Sequence, residues 1–108
     1  MKGMKTKDFH RVSSQKRSVR EDGLLLKVGD GQPGASLRLG IVVSKKVAKL
    51  AVRRNRIRRV LREAARKELE LAGRGKDLVL IALPGFDPQN MKEAQALLHR
   101  LFNKVSLR

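Results

Sequence analysis

The stretch Arg38-Leu39-Gly40-Ile41-Val42-Val43-Ser44-Lys45-Lys46-Val47-Ala48-Lys49-Leu50-Ala51-Val52-Arg53-Arg54-Asn55-Arg56-Ile57-Arg58-Arg59-Val60-Leu61-Arg62-Glu63 decides the fold. It changes period partway along. From Leu37 to Ser44 apolar residues alternate, which puts Leu39, Ile41 and Val43 on one face of a strand. From about Lys49 the period becomes helical, and a long helix is expected to Ala72, with Gly73 as a suitable stop. At 100° per residue, Ile57, Val60, Leu61, Ala64 and Leu71 share one side. Asn55, Arg59, Arg62 and Arg66 fall opposite, and Arg53, Arg54, Arg56 and Arg58 crowd the flanks near the N-terminal end.

Upstream, Leu24 to Val28 reads as another strand, and the turn formers of residues 29–34 should reverse the chain. These two strands are expected to pair as a hairpin with a long loop. A short helix is expected from Lys7 to Gln15. Downstream, Asp77 to Ala82 reads as a buried strand ended by Pro84-Gly85. A final helix follows Asp87-Pro88, its stripe formed by Met91, Ala94, Leu97, Leu98, Leu101, Phe102 and Val105. The order αββαβα predicts an α+β fold, with helices packed on a small central sheet. The 108 residues suit one domain, with a flexible basic N-terminus over residues 1–6. There is no internal repeat, low-complexity tract or dividing linker.

The charge is the unusual feature. Lys and Arg number 26 against 10 Asp and Glu, a formal net charge of +16. A polyanion relieves the self-repulsion of such a chain, and nucleic acid is the first candidate. There is no cysteine, hence no disulfide or thiolate metal site. No apolar run is long enough to span a bilayer, and a cytoplasmic location is expected.

Between Ser44 and Arg66 stand ten basic residues and one acid, Glu63. A solvated helix face is the ordinary reading of a charge run, but such faces mix signs so that i,i+4 pairs form. Cations near a helix N-terminus oppose the macrodipole, each at a cost of up to roughly 1 kcal/mol. Arginine also grips phosphate bidentately and stacks on bases. The run therefore reads as a nucleic-acid surface. Helix-turn-helix, zinc-finger and basic-zipper patterns are absent. The three aromatics, Phe9, Phe86 and Phe102, are too few for a multi-aromatic stacking platform.

Nothing reads as a catalytic set. Glu68 and Glu70 point about 200° apart on their helix, His10 and His99 lack a motif, and Ser13 and Ser14 have no nucleophile context.

Residues 38–63 resemble the signature of the bacterial ribonuclease P protein component family. The matching parts are Gly40 to Lys46, Ala51 to Arg59, and Arg62-Glu63. Lys7-Asp8-Phe9 with Val12 resembles the family's first helix, and Asp77 to Ala82 its last strand. The resemblance implies a βαβ crossover of the left-handed kind, where the general rule favours the right hand. It implies a protein subunit of the ribonucleoprotein endoribonuclease that removes the 5′ leader from precursor tRNA. Catalysis would belong to the RNA subunit with its Mg²⁺, and this chain would hold no cofactor. The RNA-facing set it implies is Lys45, Lys46, Arg54, Asn55, Arg56, Arg58, Arg59 and Arg62, to which the basic run itself adds Lys49, Arg53 and Arg66. A cleft for the single-stranded leader would include Phe9, Arg11 and Lys27, with core packing as the other reading of Phe9. One protein per catalytic RNA is expected, with the precursor leader as second partner and no membrane. The chain departs from the family pattern in a short arm before Lys7, in Ser13 and Lys27 where relatives often carry aromatics, and in Leu83 where many carry arginine. The competing reading is a ribosomal or general RNA-binding structural protein with no enzyme role.

Overall fold

A computed structural model describes residues 18–30, 37–69, 76–87 and 91–104. The helix expected over residues 7–15, the arm 1–6, Phe9, Arg11, Leu71 and Val105 lie outside the described residues. The described elements are β1 (Ser18–Glu21), β2 (Leu24–Asp30), β3 (Arg38–Val42), α1 (Ala51–Leu69), β4 (Lys76–Ala82) and α2 (Met91–Lys104). They form a four-stranded mixed sheet and two helices, an α+β fold as expected. No described helix is long and apolar enough to cross a membrane.

The sheet order is β1-β2-β4-β3, which corrects the expected pairing of β2 with β3. Strand β4 lies between them, antiparallel to β2 and parallel to β3. Its composition explains the position: Leu78, Val79 and Leu80 are buried in succession, so both faces of this strand are covered. The β3–α1–β4 segment is consequently the parallel crossover unit.

The partner of β2 on its other side is β1, which the sequence reading had not identified. A two-residue turn at Asp22-Gly23 joins them, and Glu21 sits opposite Leu24. Both turn residues have positive φ, 38° and 83°, as a type I′ hairpin requires. Gly23 also lies against Phe86, its carbonyl accepting from the Leu83 N–H at 2.8 Å. The chain then reverses through Pro84-Gly85, where Phe86 N–H donates to the Leu83 carbonyl and Gly85 has φ 94°. Leu83 thus serves this backbone corner through its N–H and carbonyl.

One sheet face carries Leu24, Leu26, Val28, Leu39, Leu78, Leu80 and Ala82. Against it pack Ile57, Leu61, Ala64 and Ala65 of α1 with Ala94, Leu97, Leu98, Leu101 and Phe102 of α2. Each fully buried leucine contributes about 1.5–3 kcal/mol by leaving water. The opposite face carries Lys27, Val79 and Gly40 in one register row, and Leu25, Ile81 and Val42 in the next. A third row pairs Arg38 with Asp77: the guanidinium donates to both carboxylate oxygens at 2.9 and 2.7 Å.

Helix α2 is tied to the hairpin by charge. Glu21 accepts from Arg100 at 3.1 Å and pairs with Lys104, whose ammonium also donates to the Arg20 carbonyl. Hydrogen bonds from Lys104 and then Arg100 hold the Glu21 carboxyl below its ordinary range. This contribution to stability is therefore complete above the unfolded carboxyl value of about 4.3 and is lost as pH falls through the lower folded value. Urea midpoints of the native chain and a Glu21→Gln variant should differ at pH 6 and converge at pH 2.

Candidate nucleic-acid interface

Helix α1 divides as its period predicts. Ile57, Leu61 and Ala64 are buried and Val60 packs partly against the core, while Asn55, Arg56, Arg59, Arg62 and Arg66 are exposed. Just before the helix, Val47 N–H donates to the Ser44 carbonyl at 3.1 Å, and the turn leaves Lys45 and Lys46 exposed. Lys49 is exposed at the entry to the helix. The basic residues thus converge on one end and one face of a single helix and its lead-in.

They do not all present free charge. Arg54 turns back on its own chain, donating to the carbonyls of Ala48 at 3.0 Å and Lys49 at 2.7 Å. Arg58 donates to the Asn55 side-chain oxygen at 2.6 Å and reaches the Val43 carbonyl at 3.5 Å. These two guanidiniums bind the lead-in and the end of β3 to the helix. Arg53 pairs with Asp87, and Arg66 with Glu63 at 2.9 Å. Lys45, Lys46, Lys49, Arg56, Arg59 and Arg62 have no ion-pair partner among the described residues.

The electrostatics favour an anion from outside the chain. The first turn of α1 contains no acid, so its N–H groups and positive dipole end are not offset locally. Acids collect elsewhere, Glu21 and Asp22 at the hairpin and Glu93 in the first turn of α2, while Asp87 reaches this end of the helix through its pair with Arg53. With the cationic side chains that surround it, the helix start matches the chemistry of a phosphate.

Of the three expected cleft residues, only Lys27 is described. It is half-buried on the sheet face away from α1 and α2, in the row of Val79 and Gly40. Phe86 and Phe102 are both buried and so are not available to stack on bases. His99 lies 3.1 Å from Glu68 and links the two helices. The sequence reading missed Asp87, since no spacing rule connects it to Arg53 across 34 positions. It also missed the bracing by Arg54 and Arg58, because side chains that return to backbone carbonyls leave no periodic trace.

A family model described as Ribonuclease P matches residues 4–106 of the chain. The chain is 35% identical over 103 residues to the ribonuclease P protein component of Bacillus velezensis, covering 95% of this chain and 87% of that one. It is 38% identical over 105 residues to the corresponding protein of Gluconacetobacter diazotrophicus, covering 96% and 90%. In three dimensions it is similar to the Staphylococcus aureus RNase P protein, with a TM-score of 0.85 at 26% identity over 99% of this chain and 97% of that one.

Proposed function

The chain belongs to the ribonuclease P protein component family, and on that premise we propose that it binds the catalytic RNA through the outward face of α1 and the lead-in residues 44–50. The observation that carries this reading is the group of six cations without an ion-pair partner among the described residues, Lys45, Lys46, Lys49, Arg56, Arg59 and Arg62. Their charges neutralise phosphates and release counterions, which sets both affinity and salt dependence. Arg54 and Arg58 act beneath them by holding the lead-in and Asn55 in place.

As a subunit of an endoribonuclease, the chain contributes position and charge. Cleavage belongs to the RNA subunit, for which Mg²⁺ supplies Lewis-acid and charge-neutralising chemistry. No metal-ligand set of three His, Cys, Asp or Glu side chains occurs among the described residues. The 5′ leader of precursor tRNA would be held in the cleft that the family resemblance implies, of which Lys27, half-buried on the sheet face away from α1 and α2, is the described member. One protein would serve one RNA.

The two arginine roles separate experimentally. Arg56→Ala should lower the slope of log affinity against log salt by about 0.7–0.9, one phosphate contact. Arg54→Ala should weaken binding with a smaller change in slope, because its loss loosens the lead-in. Equal slope changes would assign Arg54 a direct phosphate contact. The identity of the RNA recovered with the tagged chain from its own cells tests the family role against a general RNA-binding one. Enrichment of ribonuclease P RNA with precursor tRNAs supports the proposal, and enrichment of ribosomal RNA alone rejects it.

A further inference from the structure

Val52 is 81% exposed and Leu50 is 71% exposed, and both stand at the start of the arginine face. On the helix wheel Val52 lies almost opposite the core-facing Leu61, and Asn55, Arg56 and Arg59 follow it at i+3, i+4 and i+7. It therefore stands at the head of the cationic stripe. Leu50 occupies the position before the helix, its carbonyl accepting from the N–H groups of Arg53 and Arg54 at 3.1 Å. Serine, threonine, aspartate or asparagine would cap the helix there, whereas leucine offers no acceptor. A β-branched residue in an exposed first turn adds nothing to helix stability either. The local structure thus gains nothing from these two apolar side chains, and water meets both.

Their surroundings identify what could cover them. Lys45, Lys46, Lys49, Arg56 and Arg59 stand around the two side chains in sequence or on the helix face, and no acid occurs from Ser44 to Arg62. An apolar contact inside a ring of uncompensated cations matches a polyanion that also has apolar faces. Nucleic acid with unstacked bases is such a partner, and aliphatic side chains are known to pack on base faces and wedge at base steps. The described aromatics cannot serve, because Phe86 and Phe102 are in the core.

We propose that Val52 and Leu50 form an apolar seat for an unpaired nucleobase of the bound RNA. This rests on the RNA-binding reading of the same face, and it adds a preference for unpaired structure that phosphate contacts alone do not give. The cations hold the backbone, and the seat selects sites where a base is free to leave its stack.

The test uses the full chain with two synthetic RNAs of equal length and charge, a stem with an unpaired loop and a continuous duplex. Leu50→Ser/Val52→Ser should bind the stem-loop about tenfold more weakly, bind the duplex as the native chain does, and keep the same salt slope. Leu50→Met/Val52→Ile should retain stem-loop affinity. Both positions are exposed and serine at position 50 adds a helix cap, so the melting temperatures of the variants should equal or exceed that of the native chain. Unchanged stem-loop affinity in the serine variant overturns the proposal, as does an equal loss on both RNAs. A chain that shows the loop preference yet fails to recover ribonuclease P RNA from cells leaves the seat standing and rejects the family role. The two failures are therefore distinguishable.

Discussion

Alanine at Arg56, Arg59 and Arg62 together is expected to weaken binding to the catalytic RNA by about 10²- to 10³-fold at physiological salt. The three side chains stand on one exposed face of α1, and none has an ion-pair partner among the described residues. No intramolecular bond is broken by their removal, so the loss falls on the complex. The salt slope should fall by roughly 2–2.7, three contacts at about 0.7–0.9 each. Thermal stability should hold or rise slightly, because like charges leave a helix whose first turn has no acid. Filter binding across a salt series with a parallel melting curve checks both. Weaker binding with an unchanged slope would mean that these arginines are not phosphate contacts.

The second large effect is on stability. Asp77 is 1% exposed and Arg38 is 28% exposed, and they meet across β3 and β4 through two hydrogen bonds. Arg38→Ala takes two charge-assisted hydrogen bonds from a buried carboxylate and is expected to cost about 3 kcal/mol. For a domain of this size that lowers the melting temperature by about 10–20 °C. Asp77→Ala should cost less, since the guanidinium left behind keeps a route to water. Replacing both, as Arg38→Met/Asp77→Leu, should be milder than Arg38→Ala because both charges leave the sheet together. Chemical denaturation of the three variants orders them. If Arg38→Ala is the mildest, the pair does not hold the β3–β4 edge.

The two large effects differ in how visible they are in the sequence. Arg56, Arg59 and Arg62 are legible because a helix repeats its faces every 3.6 residues, and the buried Ile57, Leu61 and Ala64 fix which face is outward. The Arg38–Asp77 pair is not, because it depends on the register of two strands 39 positions apart. The misassigned hairpin has the same origin. Neighbouring strands usually pair, and that habit joined β2 to β3, yet a strand with Leu78, Val79 and Leu80 buried in succession belongs at the centre of the sheet. Strand β1 was within reach. Asp22-Gly23 before Leu24 is a type I′ signal, but Ser18 to Glu21 is too polar to read as a strand by itself. The hydrogen bonds of Arg54 and Arg58 separate arginines of identical composition into braces and free charges. Only coordinates make that distinction, since the wheel puts Arg54 and Arg58 on one flank and Arg56 on the other without telling brace from free charge.

Family membership and the free cations lead to one central claim, that this chain makes a ribonuclease P RNA competent by supplying charge and position. The direct measurement is cleavage of precursor tRNA by the RNA subunit from the same source, at a Mg²⁺ concentration too low for the RNA alone. Adding the native chain should restore release of the 5′ leader at the mature tRNA end, and the Arg56/Arg59/Arg62 alanine variant should not do so at the same protein concentration. A native chain that binds this RNA yet leaves cleavage at the RNA-alone level would contradict the account.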